Sequence, residues 1–204
     1  MSWSAPIKLR PTAADLAISR ACLRVASPAV ERPLRAITWL ADEKIMLGAV
    51  GVFWAATRFS GSRPLRREAD AMLCSVLIAG AVPDLFKLLV RRERPNRALV
   101  RRHNRRVPRS GDAWDSFPSG HAMHLSAIAA SAQRLVPKRW RAPLWSGLGA
   151  LAATRVVLLA HYPSDVLAGW GIGALINRAV GVAFRRADRS ASKNIAAATP
   201  LQPY

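Results

Sequence analysis

Residues 69–90 read ADAMLCSVLIAGAVPDLFKLLV. After Asp70 nothing charged interrupts the run until Asp84 and Lys87, and its length matches the ~20 residues that a helix needs to cross a bilayer. Asp84 and Lys87 are spaced to pair across one helical turn, which lowers the cost of holding charge near a membrane border. Pro83 is placed to kink the helix. Working outward, residues 45–59, 121–136, 142–160 and 166–184 are further apolar runs, and the connections between them are rich in arginine. That segregation of apolar spans from basic loops is the pattern of a polytopic membrane protein. No segment reads convincingly as a strand. The expected fold class is therefore all-α, a polytopic transmembrane bundle of five or six helices.

An N-terminal amphipathic helix accompanies the spans. Residues 12–26 carry Leu16, Ala17, Ala21, Cys22 and Val25 at helical spacing, with arginines elsewhere on the wheel, which suits a helix lying at the membrane surface. Residues 1–30 lack the compact apolar core and small-residue cleavage site of a secretory signal. The expected organisation is an interfacial segment over residues 1–35, a membrane-embedded domain over 36–184 and a polar tail over 185–204. No Pro/Gly/Ser-rich linker divides the 204 residues. A formal charge of +19 would by itself suit a protein that binds nucleic acid or anionic membranes, but 51% of the chain is hydrophobic and gathered into spans. The two cysteines, Cys22 and Cys74, are too far apart and too few for a disulfide framework or a zinc site.

Three short segments carry chemistry. In the first, Lys87 and Arg94-Pro95 are seven residues apart, so a helix continuing through them would align Lys87, Arg91 and Arg94 on one face. Such crowding of cations at a membrane border calls for an anion. In the second, Phe117-Pro118-Ser119-Gly120-His121 precedes a helical run. Ser119 is an N-cap, Gly120 allows close backbone approach, and the free N–H groups of the helix start seat an anion. His121 is placed there to protonate a leaving alkoxide. The third segment runs from Thr154-Arg155 to His161 and Asp165. Pro163 suits the first turn of a helix, so the chain breaks before it and presents His161 at the mouth of a helix pair. An imidazole whose second nitrogen is held by a carboxylate is a competent nucleophile, and Asp165 is four residues on. The planar fork of Arg155 suits a phosphate.

These residues resemble the type 2 phosphatidic acid phosphatase family of integral membrane lipid phosphatases. Its pattern is Lys-x6-Arg-Pro, then Pro-Ser-Gly-His, then Ser-Arg-x5-His-x3-Asp. Every element is present in order, and the one departure is Thr154 in place of serine, which keeps the hydroxyl. The resemblance spans residues 45–184. It implies that Lys87, Arg94 and Arg155 bind the phosphoryl oxygens with Ser119 and the Gly120 amide. It further implies that His161, oriented by Asp165, attacks phosphorus to give a phosphohistidine, and that His121 protonates the leaving oxygen. No metal or other cofactor is expected, so the cations must stabilise the transition-state charge. The expected substrate is a membrane lipid phosphate or diphosphate, either a prenyl diphosphate carrier or a phosphatidyl lipid.

Other residues suit other roles. His124 reads as a structural hydrogen bonder. Arg97, Arg101, Arg102, Arg105, Arg106 and Arg109 suit anionic headgroups at the membrane surface. His103 and Asp112 read as solvated loop groups, and Asp115 is close enough in sequence to steer the anion seat. Gly169, Gly171 and Gly173 suit close helix packing. The loops at 63–67 and 134–141 and the tail are basic, so the positive-inside rule puts them in the cytoplasm and the site on the outer face of a bacterial inner membrane. Expected partners are the lipid substrate and membrane lipids, with no nucleic acid, and the sequence says nothing of oligomeric state. The alternatives are a vanadate-dependent haloperoxidase, whose site is similar because vanadate mimics a phosphoryl transition state, and a non-enzymatic basic protein binding nucleic acid or anionic membranes.

Overall fold

The computed structural model describes residues 7–39, 41–99 and 113–198. In chain order the elements are β1 (Ile7–Lys8), α1 (Ala13–Val25), α2 (Pro28–Trp39), α3 (Glu43–Arg58), α4 (Arg63–Leu89), β2 (Val90–Arg91), α5 (Pro95–Ala98), α6 (Gly120–Ala132), α7 (Lys138–Val157) and α8 (Pro163–Ala198). Helices α3, α4, α6, α7 and α8 occupy the five apolar runs of the sequence. His103, Asp112 and the arginines from 101 to 109 lie outside the described residues.

The bundle is built around α6. Its run of alanine, serine and methionine is buried almost all the way round, from Ala122 to Ser131. At 13 residues it is about 20 Å long, ending before the 121–136 run read from the sequence, and it forms the core of the bundle. Two helices, Arg63–Leu89 and the Pro163–Ser190 part of α8, are long and apolar enough to cross a bilayer by themselves. Leu77, Leu85, Leu88, Leu167 and Leu175 are exposed on those two helices, where lipid would solvate them.

Small residues bring α8 onto α6. A Cβ built at Gly173 would collide with the Met123 carbonyl and the Ser126 hydroxyl, and one at Gly169 with the Ser119 carbonyl. We expect Gly173→Ala to cost ~1–3 kcal/mol of stability, as overpacking usually does. A lowered melting temperature in detergent would bear this out, and an unchanged one would contradict it. Further along, the Asn177 amide donates to Ser75 Oγ at 3.0 Å and Ser131 Oγ at 2.5 Å, tying α8 to α4 and α6 inside the bundle.

Four local expectations are corrected. Two strands exist after all: β1 and β2 pair in parallel, Ile7 opposite Val90 and Lys8 opposite Arg91. Strands of two residues are too short to show alternation in sequence. This pairing ends α4 at Leu89, so Arg94 does not continue the Lys87 helical face. Helix α2, with Pro33 inside it, was not expected. Helix α1 is also more than an interfacial amphipath. Thr12 and Asp15 form a reciprocal capping box, yet Asp15 is only 1% exposed, because α1 packs onto the bundle. Burial alone would raise the Asp15 pKa, but hydrogen bonds from Thr12, Ser164 and Arg92 outweigh it and hold the value down to about 2.

The helices run so that the two ends of the bundle differ. One end gathers the C-termini of α4 and α7 and the N-termini of α6 and α8. The other gathers Arg58, Arg63, Arg66, Arg67 and Arg134 around a cavity, with Asp70, Glu68 and Asp188 paired to Arg58, Arg134 and Arg67.

Candidate active site

A cavity of about 440 Å³ opens at the first end, lined by Lys87, Arg94, Gly120, His121, Arg155 and His161 among others. Residues from all three chemical segments therefore converge. Each is delivered by a helix terminus, which is the part of a helix free to meet a ligand.

His161 sits in the turn between α7 and α8. The turn begins with Leu159 at φ 55°, a left-handed conformation that costs a buried leucine of order 1 kcal/mol and persists only where its surroundings impose it. The Leu159 carbonyl accepts from the Asn96 N–H at 3.0 Å, which fixes the turn to α5. His161 is 4% exposed, and its Nδ1 lies 2.7 Å from the Ser116 carbonyl oxygen. A carbonyl only accepts, so Nδ1 carries the hydrogen and Nε2 keeps its lone pair. Burial, with Arg94 and Arg155 adding positive potential, pushes the His161 pKa well below its ordinary value. The imidazole is thus neutral, the form that can attack. In a histidine NMR titration of the solubilised protein, we expect the His161 ring to remain neutral as pH falls through 6.5, its ordinary midpoint. Protonation at or above that pH would contradict the reading.

The direct His161–Asp165 bond expected from the sequence is not the one formed. The Asp165 carboxylate accepts from Ser116 Oγ at 2.6 Å, from the Tyr162 N–H at 2.8 Å and, in a buried ion pair, from Arg92. Asp165 therefore reaches His161 through Ser116. At position 165 the carboxylate caps its own helix start through the Tyr162 N–H, and its oxygens are taken up there and by Ser116 and Arg92.

The cations are held in different ways. Arg94 donates to the carbonyls of Ala160 at 3.3 Å and Asp115 at 3.1 Å, so its position is built into the loop walls. Lys87 pairs with Asp84 at 2.7 Å, as its spacing predicts, and lies 4.0 Å from Asp115. Arg155 lines the cavity, and its buried Nε has no hydrogen-bond partner among the described residues. Leaving a buried guanidinium donor unmade is costly, and an oxyanion in the cavity would satisfy it. Ser119 caps α6, accepting from the Ala122 N–H at 3.5 Å, and is fully buried behind the wall that Gly120 and His121 form. Ser119 itself is not among the residues that line the cavity. His124, set aside from the sequence, bonds the Gly120 carbonyl at 2.8 Å and is structural. Among the described residues no group of three or more His, Cys, Asp or Glu side chains is arranged to hold a metal ion.

Sequence reasoning missed one wall and one ion. The wall is Arg35, Thr38, Trp39, Asp42 and Glu43, from α2 and the start of α3. It is tied to the arginine-bearing helix by Thr38 Oγ1 and Thr154 Oγ1, 2.5 Å apart. The ion is Arg92, 1% exposed, which stood in the sequence as one arginine among many.

A 35% identical relative, the lipid A 1-phosphatase of Rhizobium johnstonii, aligns over 158 residues, 72% of this chain and 63% of that protein. The decaprenylphosphoryl-5-phosphoribose phosphatase of Mycobacterium tuberculosis is 34% identical over 56% of this chain and 60% of its own length. The chain thus spans less than two thirds of either relative. Among solved structures, the PAP2 type phosphatidylglycerolphosphate phosphatase from Bacillus subtilis superposes with a TM-score of 0.60 at 21% identity, covering 85% of both chains. The fold is accordingly that of a transmembrane helix bundle. The PAP2 superfamily model matches residues 70–188, more than half of the chain. That match takes in Lys87, Arg94, Ser119, Gly120, His121, Arg155, His161 and Asp165, and the chain belongs to the PAP2 superfamily.

Proposed function

We propose that this protein is a lipid phosphatase that works without a metal, removing phosphate from a membrane lipid phosphate or diphosphate through a phosphohistidine. The observation that carries the reading is the neutral His161 lining one small cavity with Arg94, Arg155 and His121, the buried Nε of Arg155 having no partner among the described residues. Arg94, Arg155 and Lys87 hold the phosphoryl oxygens, and the start of α6 adds the Gly120 amide. Nε2 of His161 attacks phosphorus, the P–O bond to the lipid breaks, and His121, which burial and Arg155 keep neutral until the anionic phosphoryl group enters beside it and brings its proton, gives that proton to the departing oxygen. Water then attacks the phosphohistidine, passing a proton back to His121 and releasing inorganic phosphate. The relatives named as phosphatases of lipid A and of decaprenylphosphoryl-5-phosphoribose support a lipid-borne phosphate as substrate.

The site belongs on the outer face of a bacterial inner membrane, because the opposite end of the bundle carries the arginine clusters that the positive-inside rule keeps in the cytoplasm. The test is phosphate release by the detergent-solubilised protein from a panel of phosphatidic acid, phosphatidylglycerol phosphate, a lipid A phosphate and undecaprenyl diphosphate. Release from at least one member, unaffected by EDTA, is expected. No release from any member, or release abolished by EDTA and restored by a divalent cation, would overturn the proposal.

A further inference from the structure

Asp15, Arg92 and Asp165 form a buried chain of ions joining the first helix to the nucleophile. Asp15 Oδ2 accepts from Arg92 at 2.7 Å, and Arg92 turns its other amino group to Asp165. All three side chains are at most 2% exposed. Asp15 is held in turn by the Thr12 N–H at 3.0 Å, the Ser164 N–H at 3.0 Å and the Ser164 hydroxyl at 2.8 Å. Arg92 also lies flat over the Tyr162 ring, 4.7 Å from its centroid, and its carbonyl accepts from the Ser116 N–H at 3.1 Å. Ser116 is thereby fixed twice, by Arg92 at its N–H and by Asp165 at its hydroxyl, and its carbonyl is what holds His161.

Buried ions cost several kcal/mol each unless well paired, so a triad of this kind strongly over-determines where its members sit. A nucleophile displaced by a fraction of an ångström loses rate without losing substrate affinity. The family match begins at residue 70, so Asp15 lies outside the segment shared with the superfamily. We propose that Asp15 is a positioning residue of the site, acting through Arg92, Asp165 and the Ser116 carbonyl to fix the tautomer and aim of His161. The first helix is then part of the catalytic framework. This inference rests on the phosphohistidine reading above.

The experiment compares wild type, Asp15→Asn, Ser116→Ala and the double variant, using the panel member that wild type hydrolyses fastest. Asp15→Asn keeps shape and removes charge, and we expect kcat to fall about 10- to 100-fold while KM stays within about twofold. The double variant is expected to be no slower than the slower single variant, because the two act along one chain. Imidazole nitrogen NMR is expected to show His161 with its hydrogen on Nδ1 in wild type and mixed tautomers in Asp15→Asn. If Asp15→Asn does not yield folded protein, Ser164→Ala removes one donor to Asp15 and is expected to lower kcat about two- to fivefold at constant KM. Unchanged kcat, a loss carried by KM, multiplying losses in the double variant, or an unaltered tautomer would each overturn the inference. A wild type whose turnover survives His161→Ala would overturn the phosphohistidine reading and this inference together. His161-dependent turnover with an unaffected Asp15→Asn would overturn this inference alone.

Discussion

Replacing His161 by alanine is expected to lower phosphate release at least ~1,000-fold, the scale on which enzymes lose their nucleophile. The ring is buried and neutral, and its lone pair is on the nitrogen away from the Ser116 carbonyl. No other histidine among the described residues has a ring nitrogen held by a carbonyl outside its own helix: His124 is bonded to Gly120 within its own helix, and His121 lines the cavity from the first turn of α6. Arg94 and Arg155 remain in the variant, so orthovanadate, a phosphoryl mimic, should still bind. The assay is therefore kcat alongside vanadate affinity. Retention of more than about a tenth of wild-type kcat would end His161's role as nucleophile, since no supporting interaction alone is worth so little when the attacking group is gone.

Arg155→Lys is expected to lower kcat by about 100- to 1,000-fold, the usual consequence of removing one preorganised donor from a developing oxyanion. Lysine keeps the charge but loses the fork, and with it the buried Nε that lacks a hydrogen-bond partner among the described residues. A point charge on a flexible stem cannot replace two donors held in one plane. Arg155 lies in the last turn of α7, four residues before Leu159 and six before His161, so the helix and its strained turn set the distance between the cation and the imidazole. Steady-state kinetics on the same substrate panel, with melting temperature as a control, measures the effect. A kcat within about threefold of wild type at equal stability would remove Arg155 from the phosphoryl cradle.

Much of this arrangement was legible in the chain because its parts are local. The N-cap at Ser119, the Asp84–Lys87 pair and the helix start at Pro163 each depend on residues within one turn, and spacing alone fixes them. The close approach marked by Gly169 and Gly173 is equally local in its cause, since only a missing side chain admits a neighbouring backbone. Convergence of the three segments was suggested by resemblance, and the cavity now holds Lys87, Arg94, His121, Arg155 and His161 together.

What escaped the sequence depends on long-range contact. Arg92 is chemically indistinguishable from Arg91, yet Arg91 is exposed over Trp114 while Arg92 is buried between two aspartates. Backbone pairing decides which of them turns inward: Arg91 is held by β1 and Arg92 by its bridge to Asp115, and side chains alternate along extended chain. Asp15 stood in the sequence as one charged residue among the first thirty, and its bond to Arg92, 77 residues away, left no local trace. Helix α2 was hidden by Pro33 and by the charged residues that break its apolar stripe, although it supplies Arg35, Thr38 and Trp39 to the cavity wall. The His161–Asp165 spacing was read as a direct bond because four residues often bring two side chains together. The turn at Leu159 breaks the helix between α7 and α8 and gives the ring to a carbonyl instead.

In the proposed mechanism, covalent transfer of the phosphoryl group to one imidazole is the step on which every other role depends. The direct test is a rapid alkaline quench of the solubilised protein during turnover of a radiolabelled lipid phosphate, followed by peptide mapping. The expected result is label that is stable to alkali, lost in acid and confined to the peptide containing His161. Steady turnover with no trapped label, or label on any other residue, would contradict the account.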